Sequence, residues 1–495
     1  MERQPSFFTE NAGKKLFAFF LFTFFLLNVS WKWVLAQSYV PDLGGFERNV
    51  IWGIQRIMSG RPLYTNPENL PFSFVQYMPL YYELLAFLGK LFSIQASDAH
   101  GVYRLARILN LMISLGFSGI VFLTSFRRFK VPVFLAGSFA ILSFLVSDTF
   151  TISGRPDSLK AFFLILQVFV LCRSNGLKLR YKMALAFILS LCCFLCKQDG
   201  IVAFGILPLA FLFGAEWKNL GIYVVGAGLV LASGLIFLQW NYGDYFFANT
   251  VGGLKNGISL SWFMSVFRGY FGLYVVLFAP ALMLAFEFAH EKNRALRVLA
   301  SAMFVVFFPS LLASLKFGSG VNYFQESLLI SCILVPIGIS AFSGSAFFRF
   351  PTSKWLFPSL AFLLFFGLSG LNWFAGVFLN QEAALKSTYE SDLAFATKLK
   401  TEFPQGEMML LTDRQWEDNL TTILFDCIVN PNRDVSAQVF EGKKGDALKG
   451  LSRYVSTHSK LILLTKFGQK PSFPGQDFSA FHVSREFGGY QVWTK

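Results

Sequence analysis

Four short polar segments of the chain place ionisable side chains at the ends of long apolar runs. They are PDLGGFE from residue 41, GRPDSL from residue 154, CKQDG from residue 196 and VNYFQES from residue 321. Ionisable groups are costly in hydrocarbon, so we expect these side chains to face one polar cavity or one another. Carboxylates beside cations in such a cavity suit a proton transfer next to a phosphate group.

The first segment carries two carboxylates, Asp42 and Glu47. A carboxylate at the membrane edge can be partly desolvated, which makes it a stronger general base. Either residue could instead be an ordinary solvated loop acid, and Glu47 could begin a helix. We predict an amphipathic helix over residues 46–58, lying at the membrane interface.

Arg155, Lys197 and Arg107 supply positive charge to the predicted cavity. Arg155 comes just before a proline that suits the first turn of a helix, and a guanidinium beside a helix N-terminus makes a good phosphate site. Lys197 occupies a turn between two short apolar spans, where it could contact a phosphate or pair with Asp157 or Asp199. Asp157 also favours the helix dipole, so its position has a purely structural explanation.

The composition is that of a polytopic membrane protein. Of the 495 residues, 54% are hydrophobic, only 15% are charged and 62 are Phe. A soluble protein of this size would need far more charge to cover its surface. We predict about eleven transmembrane helices, near residues 16–36, 102–125, 131–148, 157–172, 183–196, 201–215, 220–240, 262–288, 298–315, 326–343 and 355–379.

The net charge of +14 lies entirely in the apolar part of the chain, because residues 381–495 contain fourteen basic and fourteen acidic side chains. Clusters of Lys and Arg fall between spans, as the positive-inside rule requires of cytoplasmic loops. These clusters begin at Arg127, Arg173, Lys292 and Arg349. The pattern explains the positive charge without a nucleic-acid partner, since no soluble basic face is evident.

Placing those clusters in the cytoplasm sends the four polar segments to the outer side. The apolar run over residues 78–94 then cannot be a full span, because it would put Arg127 outside, and we interpret it as an interfacial or re-entrant helix. The odd number of spans puts the C-terminus outside as well. The sequence thus predicts a transmembrane domain over 1–380, with its first outer loop over 37–101, and a soluble extracytoplasmic domain over 381–495.

The C-terminal region has a small α/β pattern. Helices over 382–400 and 444–460 each precede an apolar strand, MMLLT from residue 408 and KLILLTK from residue 460. Residues 481–495 have the pattern of a hairpin that turns at Gly488-Gly489. No catalytic motif stands out in this region.

Two of the six Cys form a C-x-x-C pair, Cys193 and Cys196, a pattern found in redox and metal sites. The pair lies in an apolar helix with neither a βαβ context nor a His partner. Small packing residues are therefore the better interpretation.

In their order along the chain, the polar segments resemble those of the GT-C superfamily of polyprenyl-phosphate-dependent glycosyltransferases, which includes protein O-mannosyltransferases and aminoarabinose transferases. The resemblance covers nearly the whole chain and rests on PDLGGFE, SGRPLYTNP, YMPLYYELLAFLGKLF, ARILNL, GRPDSL, KQDG and GSGVNYFQE. Two departures stand out. The first loop has no D-x-D motif, which puts metal dependence in doubt, and Met78-Pro79 stands where the family has Pro-Pro.

The resemblance implies transfer of a sugar from a polyprenyl-phosphate donor to a glycan, lipid or protein acceptor, with inversion at the anomeric carbon. It implies that a first-loop acid deprotonates the acceptor, here Asp42 with Glu47 as the rival. Arg155, Lys197 and Arg107 would hold the donor phosphate. The residues implied to line the sugar and acceptor pocket are Asp157, Gln198, Asp199, Asn322, Tyr323, Glu326 and Tyr81. No cofactor is assigned, and a divalent metal is compatible with the sequence but not indicated by it.

Two other classes of protein fit part of the pattern. A transporter or flippase for lipid-linked sugars could also use an outer cavity, but the ionisable residues gather at the outer ends of spans and no internal repeat is evident. A membrane scaffold that binds partners through its tail would be favoured if Asp42, Arg155 and Lys197 were far apart. The expected setting is a bacterial inner membrane, with the cavity and the C-terminus periplasmic; the endoplasmic reticulum has an equivalent topology.

Overall fold

A computed structural model of the chain describes the following residues: 10–43, 47–146, 152–173, 177–252, 257–267, 272–316, 319–342, 381–411, 419–429, 446–473, 476–487 and 489–495.

Helices account for most of the described residues up to 342. In chain order they are α1 (Glu10–Ala36), α2 (Glu47–Met58), α3 (Leu80–Leu91), α4 (Ala99–Leu123), α5 (Val133–Val146), α6 (Asp157–Cys172), α7 (Leu179–Cys196), α8 (Ile206–Phe213), α9 (Trp217–Tyr242), α10 (Tyr245–Thr250), α11 (Leu260–Val266), α12 (Gly272–Ala289), α13 (Arg294–Ala313) and α14 (Gln325–Phe342). A π-helical turn at Thr124–Arg128 extends α4, and 3-10 turns at Gln198–Gly205 and Val321–Phe324 precede α8 and α14.

Six of the described helical segments are long and apolar enough to cross a membrane, and three shorter apolar ones accompany them. The long ones are Phe19–Ala36, Ala99–Arg128, Leu179–Cys196, Trp217–Tyr242, Arg294–Ala313 and Asn322–Ala341. The prediction of a polytopic helical membrane protein is thus confirmed. The predicted span over 355–379 lies outside the described residues, so the count of eleven stays a prediction.

The predicted span over 201–215 is not a continuous α-helix. Its first half is the 3-10 turn Gln198–Gly205, in which Gly200 N–H donates to the carbonyl of Lys197 at 2.9 Å. The turn packs so closely on α7 that a Cβ at Gly200 would lie 2.3 Å from the carbonyl oxygen of Cys193. Only glycine fits there, and the tight turn fixes the side chains on either side of it.

Helix α2 is not an interfacial helix on lipid, as the sequence suggested, because protein covers it on both sides. Helices α3 and α4 pack on one side. On the other, Trp52 Nε1 donates to the carbonyl of Phe425 at 3.2 Å, and Gln55 Nε2 donates to that of Thr422 at 2.9 Å. Its amphipathic pattern reflects burial between the helical bundle and the C-terminal region.

The C-terminal region is built from helices and one mixed sheet. Its elements are α15 (Glu382–Glu402), β1 (Glu407–Leu410), α16 (Leu420–Ile423), β2 (Ile428–Val429), α17 (Asp446–Thr457), β3 (Leu461–Lys466), β4 (His482–Phe487) and β5 (Tyr490–Thr494). The strand order is β2-β1-β3-β5-β4, with β2, β1 and β3 parallel and β5 antiparallel to both β3 and β4. The two-residue strand β2 is too short to leave a periodic signal in the sequence.

The first loop inserts an aromatic side chain into the core of the C-terminal region. Phe72 is 4% exposed and packs in a cluster with Leu451, Leu461 and Phe473. Its φ of 58° lies in the left-handed region, which is strained for a bulky residue. The burial of the ring therefore offsets the cost of an unfavourable backbone conformation. It also attaches the first loop to the C-terminal region.

Replacing Phe72 with Ala should loosen this junction. Loss of a buried Phe ring costs about 3–5 kcal/mol, so limited proteolysis of the full chain should release the C-terminal region several-fold faster. Phe87→Ala is the matched control, because that ring is 63% exposed on α3. Equal release rates for the two variants would show that Phe72 does not hold the junction.

Candidate functional site

A buried ion pair joins the first loop to the helical bundle. Arg107 on α4 contacts Glu47 at the start of α2 in a bidentate arrangement, with Nη2 2.7 Å from Oε2 and Nε 2.8 Å from Oε1. Neither side chain is exposed to solvent. The carboxylate also accepts hydrogen bonds from the backbone N–H groups of Leu43, at 2.9 Å, and Gly154, at 2.5 Å. Glu47 thereby ties together the first loop, α4 and the approach to α6.

The same pair fixes the backbone around Asp42. Arg107 donates to the carbonyls of Ser38, at 3.0 Å, and Val40, at 2.7 Å, just before Asp42 in the chain. The Asp42 carboxylate is close enough to act electrostatically on the guanidinium groups of Arg107 and Arg155. Asp42 is therefore within electrostatic reach of a group of charged side chains at the start of α6.

Asp157 is the centre of that cluster. Its Oδ1 lies 2.8 Å from both Lys197 Nζ and Asn322 Nδ2, and its Oδ2 lies 3.1 Å from Arg155 Nε. The carboxylate is 1% exposed. One buried anion thus gathers donors from the start of α6, from the turn after α7 and from the 3-10 turn before α14.

A second group of charges lies one helical turn further along α6. Lys160 Nζ contacts Glu326 Oε1 at 2.8 Å and Asp199 Oδ2 at 2.9 Å. Lys197 also approaches Asp199, at 3.6 Å. We did not predict a role for Lys160. The sequence pattern that could have identified it is a lysine three residues after Asp157, in the first turn of an apolar helix. That spacing puts both side chains on one face of the helix.

Aromatic rings line the cationic side of the cluster. Lys197 Nζ lies 4.5 Å from the centroid of the Tyr323 ring and 5.6 Å from that of Tyr77. Arg155 Nη2 donates to the Tyr77 hydroxyl at 3.4 Å. Sequence reasoning also missed Tyr77, although it belongs to the quoted motif YMPLYY. A tyrosine at that place does not by itself indicate a functional role, because tyrosines are common at membrane interfaces.

The two remaining predicted residues lie beside the cluster. Tyr81 on α3 is fully buried and within electrostatic reach of Glu47 and Asp157. Gln198 donates to the backbone carbonyls of Gln76, at 2.6 Å, and Thr250, at 2.8 Å. Gln198 thus fastens the turn that carries Lys197 to the loops on either side of it.

The cations and carboxylates of the cluster balance. Arg155, Lys160 and Lys197 stand against Asp157, Asp199 and Glu326. A cavity of about 30 Å³ lies between Lys160, Asp199, Tyr323 and Glu326. That volume holds a water molecule or two but no sugar. A ligand must therefore take over contacts that the side chains now make to one another.

The two kinds of acid in this region differ in what they can do chemically. Glu47 already accepts four hydrogen bonds, which leaves no free lone-pair direction for a hydrogen bond from a reacting hydroxyl. Asp42 acts electrostatically on both Arg107 of the ion pair and Arg155 of the cluster, and a proton acceptor within reach of both could serve a reacting hydroxyl. Buried Arg and Lys side chains are well suited to bind a phosphate.

The C-x-x-C cysteines lie next to this cluster without an evident reactive role. Cys193 and Cys196 are free thiols and are buried, and Cys193 Sγ contacts the carbonyl of Lys160 at 3.5 Å. Among the residues that the structure describes, no group of three His, Cys, Asp or Glu side chains has the arrangement of a metal site.

The overall fold matches that of a solved enzyme. ArnT from Cupriavidus metallidurans, a GT-C aminoarabinose transferase crystallised with undecaprenyl phosphate, superposes with a TM-score of 0.62 and 12% sequence identity, over 95% of this chain and 97% of its own. Its apo structure gives the same TM-score and identity over 96% and 98%. An oligosaccharyltransferase from Archaeoglobus fulgidus, crystallised with Zn and sulfate, superposes less well, with a TM-score of 0.47 at 14% identity over 86% of this chain and 64% of its own.

No family model matches the chain, and comparison with curated proteins gives no match. The predicted resemblance to the GT-C superfamily is confirmed at the level of the fold by the ArnT structures. The chain has the fold of ArnT, and six of its described helical segments are long and apolar enough to cross a membrane.

The Glu47–Arg107 pair should matter greatly for stability. Glu47→Gln or Arg107→Met alone leaves a buried polar group without its partner and should cost about 3–5 kcal/mol. Combining the two should cost much less than the sum, because the partners are coupled. Denaturant titration in detergent micelles measures these free energies of unfolding.

The control for this cycle is Arg294→Met. Arg294 pairs with Glu216 at 2.6 Å but is 43% exposed, so its removal should cost under about 1 kcal/mol. Strictly additive effects of Glu47→Gln and Arg107→Met would contradict a tight coupling between them.

Proposed function

We propose that the protein is a membrane glycosyltransferase that moves a sugar from a polyprenyl-phosphate donor to an extracytoplasmic glycan, lipid or protein acceptor, with inversion. The observation that carries this proposal is the convergence of Arg155 and Lys197 on one buried anion, at the end of the bundle where Asp42 also lies. The fold match to ArnT supports a lipid phosphate as the anion, because the ArnT crystal contained undecaprenyl phosphate.

The phosphate would take the place that Asp157 now occupies between two cations. Arg155 and Lys197 reach Asp157 from different elements, at 3.1 and 2.8 Å. A phosphate oxygen inserted there would receive the same donors. Because these groups are buried, their attraction for the charge that develops on the leaving phosphate is strong.

Asp42 would act as the general base. It would take the proton from the acceptor hydroxyl as that oxygen attacks the anomeric carbon from the face opposite the phosphate. Glu47 and Arg107 would act as positioning residues, since their contacts to Leu43, Ser38 and Val40 hold the loop that carries Asp42. The sequence predicted that Arg107 binds the donor phosphate. We instead assign it the role of ion-pair partner of Glu47, because its guanidinium already contacts that carboxylate with two nitrogen atoms.

The sugar would lie beside the cluster, near the rings and carboxylates that surround Lys160 and Lys197. The residues assigned to this pocket are Asp157, Asp199, Asn322, Tyr323, Glu326, Tyr81 and Gln198. Carboxylates and a side-chain amide match the many hydroxyl groups of a sugar. In a bacterial cell the enzyme would reside in the inner membrane, with this site and the C-terminal region in the periplasm.

Asp42→Asn should abolish most of the transfer. The change keeps the side chain's size and removes its basicity, and loss of general-base assistance typically costs about 10²–10⁴-fold in kcat. The measurement is transfer of radiolabelled sugar from polyprenyl-phosphate donors in membrane vesicles. Wild-type turnover by a folded Asp42→Asn protein would rule Asp42 out as the base.

Arg155→Ala and Lys197→Ala should each reduce kcat by about 10²-fold or more. Both cations would face charge that grows during the reaction, so kcat should fall more than KM rises. Lys90→Ala, an exposed lysine on α3, controls for general loss of positive charge. An unchanged kcat for Arg155→Ala would remove it from the phosphate site.

The same vesicles distinguish a lipid-linked sugar flippase from a transferase. A flippase would move the labelled donor across the membrane and yield no new glycosidic product. Product that forms with consumption of donor would support the proposed activity.

A further inference from the structure

One more lysine, Lys316, lies within electrostatic reach of Lys197 and Asp199 in the charged cluster. It is on the loop between α13 and the 3-10 turn Val321–Phe324. The backbone of Lys316 pairs with that of Ile258 in an antiparallel bridge, and Ser259 N–H donates to the carbonyl of Leu315 at 2.9 Å. Trp262 Nε1 donates to the carbonyl of Ser319 at 2.8 Å. The segment before α11 thus holds the lysine loop at two points.

Lys316 is half-buried and, unlike the buried cations of the cluster, has no carboxylate within ion-pairing distance among the described residues. The charged groups that act on it are Lys197 and Asp199, and the facing residues 258–262 contain no titratable side chain. Burial, and then the nearby charge of Lys197, lower the pKa of Lys316 to about 8. An unneutralised, partly buried ammonium beside Lys197 is a place for an additional negative charge.

The proposed reaction creates such a charge. The donor is a phosphodiester with one negative charge. As the bond from the acceptor oxygen to the anomeric carbon forms, the bond from that carbon to the phosphate oxygen breaks, and its electron pair stays on the phosphate. The acceptor proton moves to Asp42. The leaving lipid is then a monoester, whose second ionisation lies near pH 6, so it carries close to two charges at neutral pH.

We propose that Lys316 binds the second charge of the leaving lipid monophosphate, and that it therefore discriminates the monoester product from the diester donor. This inference rests on the proposed function and adds a residue to it. Arg155 and Lys197 would hold the charge that both lipids share. Lys316 would contribute to the transition state and the product more than to the bound donor.

The test compares the affinity of the full-length protein for two lipids in detergent micelles, farnesyl phosphate and its methyl diester, by titration calorimetry. Lys316→Ala should weaken binding of the monoester by about 10- to 100-fold, the range of a charge-assisted hydrogen bond. Binding of the diester should change less than about threefold, within the range of an exposed charge. Lys90→Ala should change neither affinity.

The pH dependence provides a second readout. Lys316 is charged below about pH 8 and neutral above it, so the affinity for the monoester should fall as the pH rises through and beyond that value. Lys316→Arg keeps its charge throughout and should remove this alkaline fall while retaining binding at pH 7. A fall that persists unchanged in the Arg variant would assign the titration to another group.

The outcomes separate the two proposals. If neither lipid binds, or if Arg155→Ala and Lys197→Ala leave both affinities unchanged, the phosphate site and the further inference fail together. If those two variants weaken both lipids while Lys316→Ala weakens them equally or not at all, only the role of Lys316 is overturned.

Discussion

The arrangement of the site depends on the ion pair between Glu47 and Arg107. Two charges without solvent contact are costly to bury, and the cost is offset only when geometry is good and the remaining donors and acceptors are satisfied. Here the carboxylate has four donors, and the guanidinium also reaches two backbone carbonyls. Because these contacts come from the first loop, α4 and the approach to α6, one interaction fixes three otherwise independent segments.

The charged cluster beyond that pair is held by mutual neutralisation. Arg155 and Lys197 share Asp157, while Lys160 holds Asp199 and Glu326. Each of these charges would be costly to bury alone, and together they form a compact set of opposite charges. The same balance gives the proposed phosphate a specific competitor, the carboxylate of Asp157. Lys316 lies outside that balance, because no carboxylate in the described part of the chain is within ion-pairing distance of it.

The C-terminal region contributes to the same construction through α2. That helix contacts α3 and α4 on one side and backbone carbonyls of the C-terminal region on the other. The segment that begins with Glu47 is therefore fixed by both halves of the chain. A fold shared with ArnT at only 12% identity is compatible with this, because the helix arrangement depends on apolar burial that many sequences can satisfy.

The sequence by itself determined the membrane class, most helix positions, the polar segments that meet at the charged cluster and the main strands of the C-terminal region. These follow from hydrophobic periodicity and from the cost of charge in hydrocarbon. It also put Asp157 and Lys197 near each other, but left open whether Lys197 pairs with an acid. Only the tertiary structure decided which acid pairs with which cation. Glu47 meets Arg107 from 60 residues away and Lys160 meets Glu326 from a different helix, and long-range pairing leaves no local signal. The sequence also could not predict that the C-terminal region covers α2, because an amphipathic pattern is the same whether lipid or protein covers the apolar face.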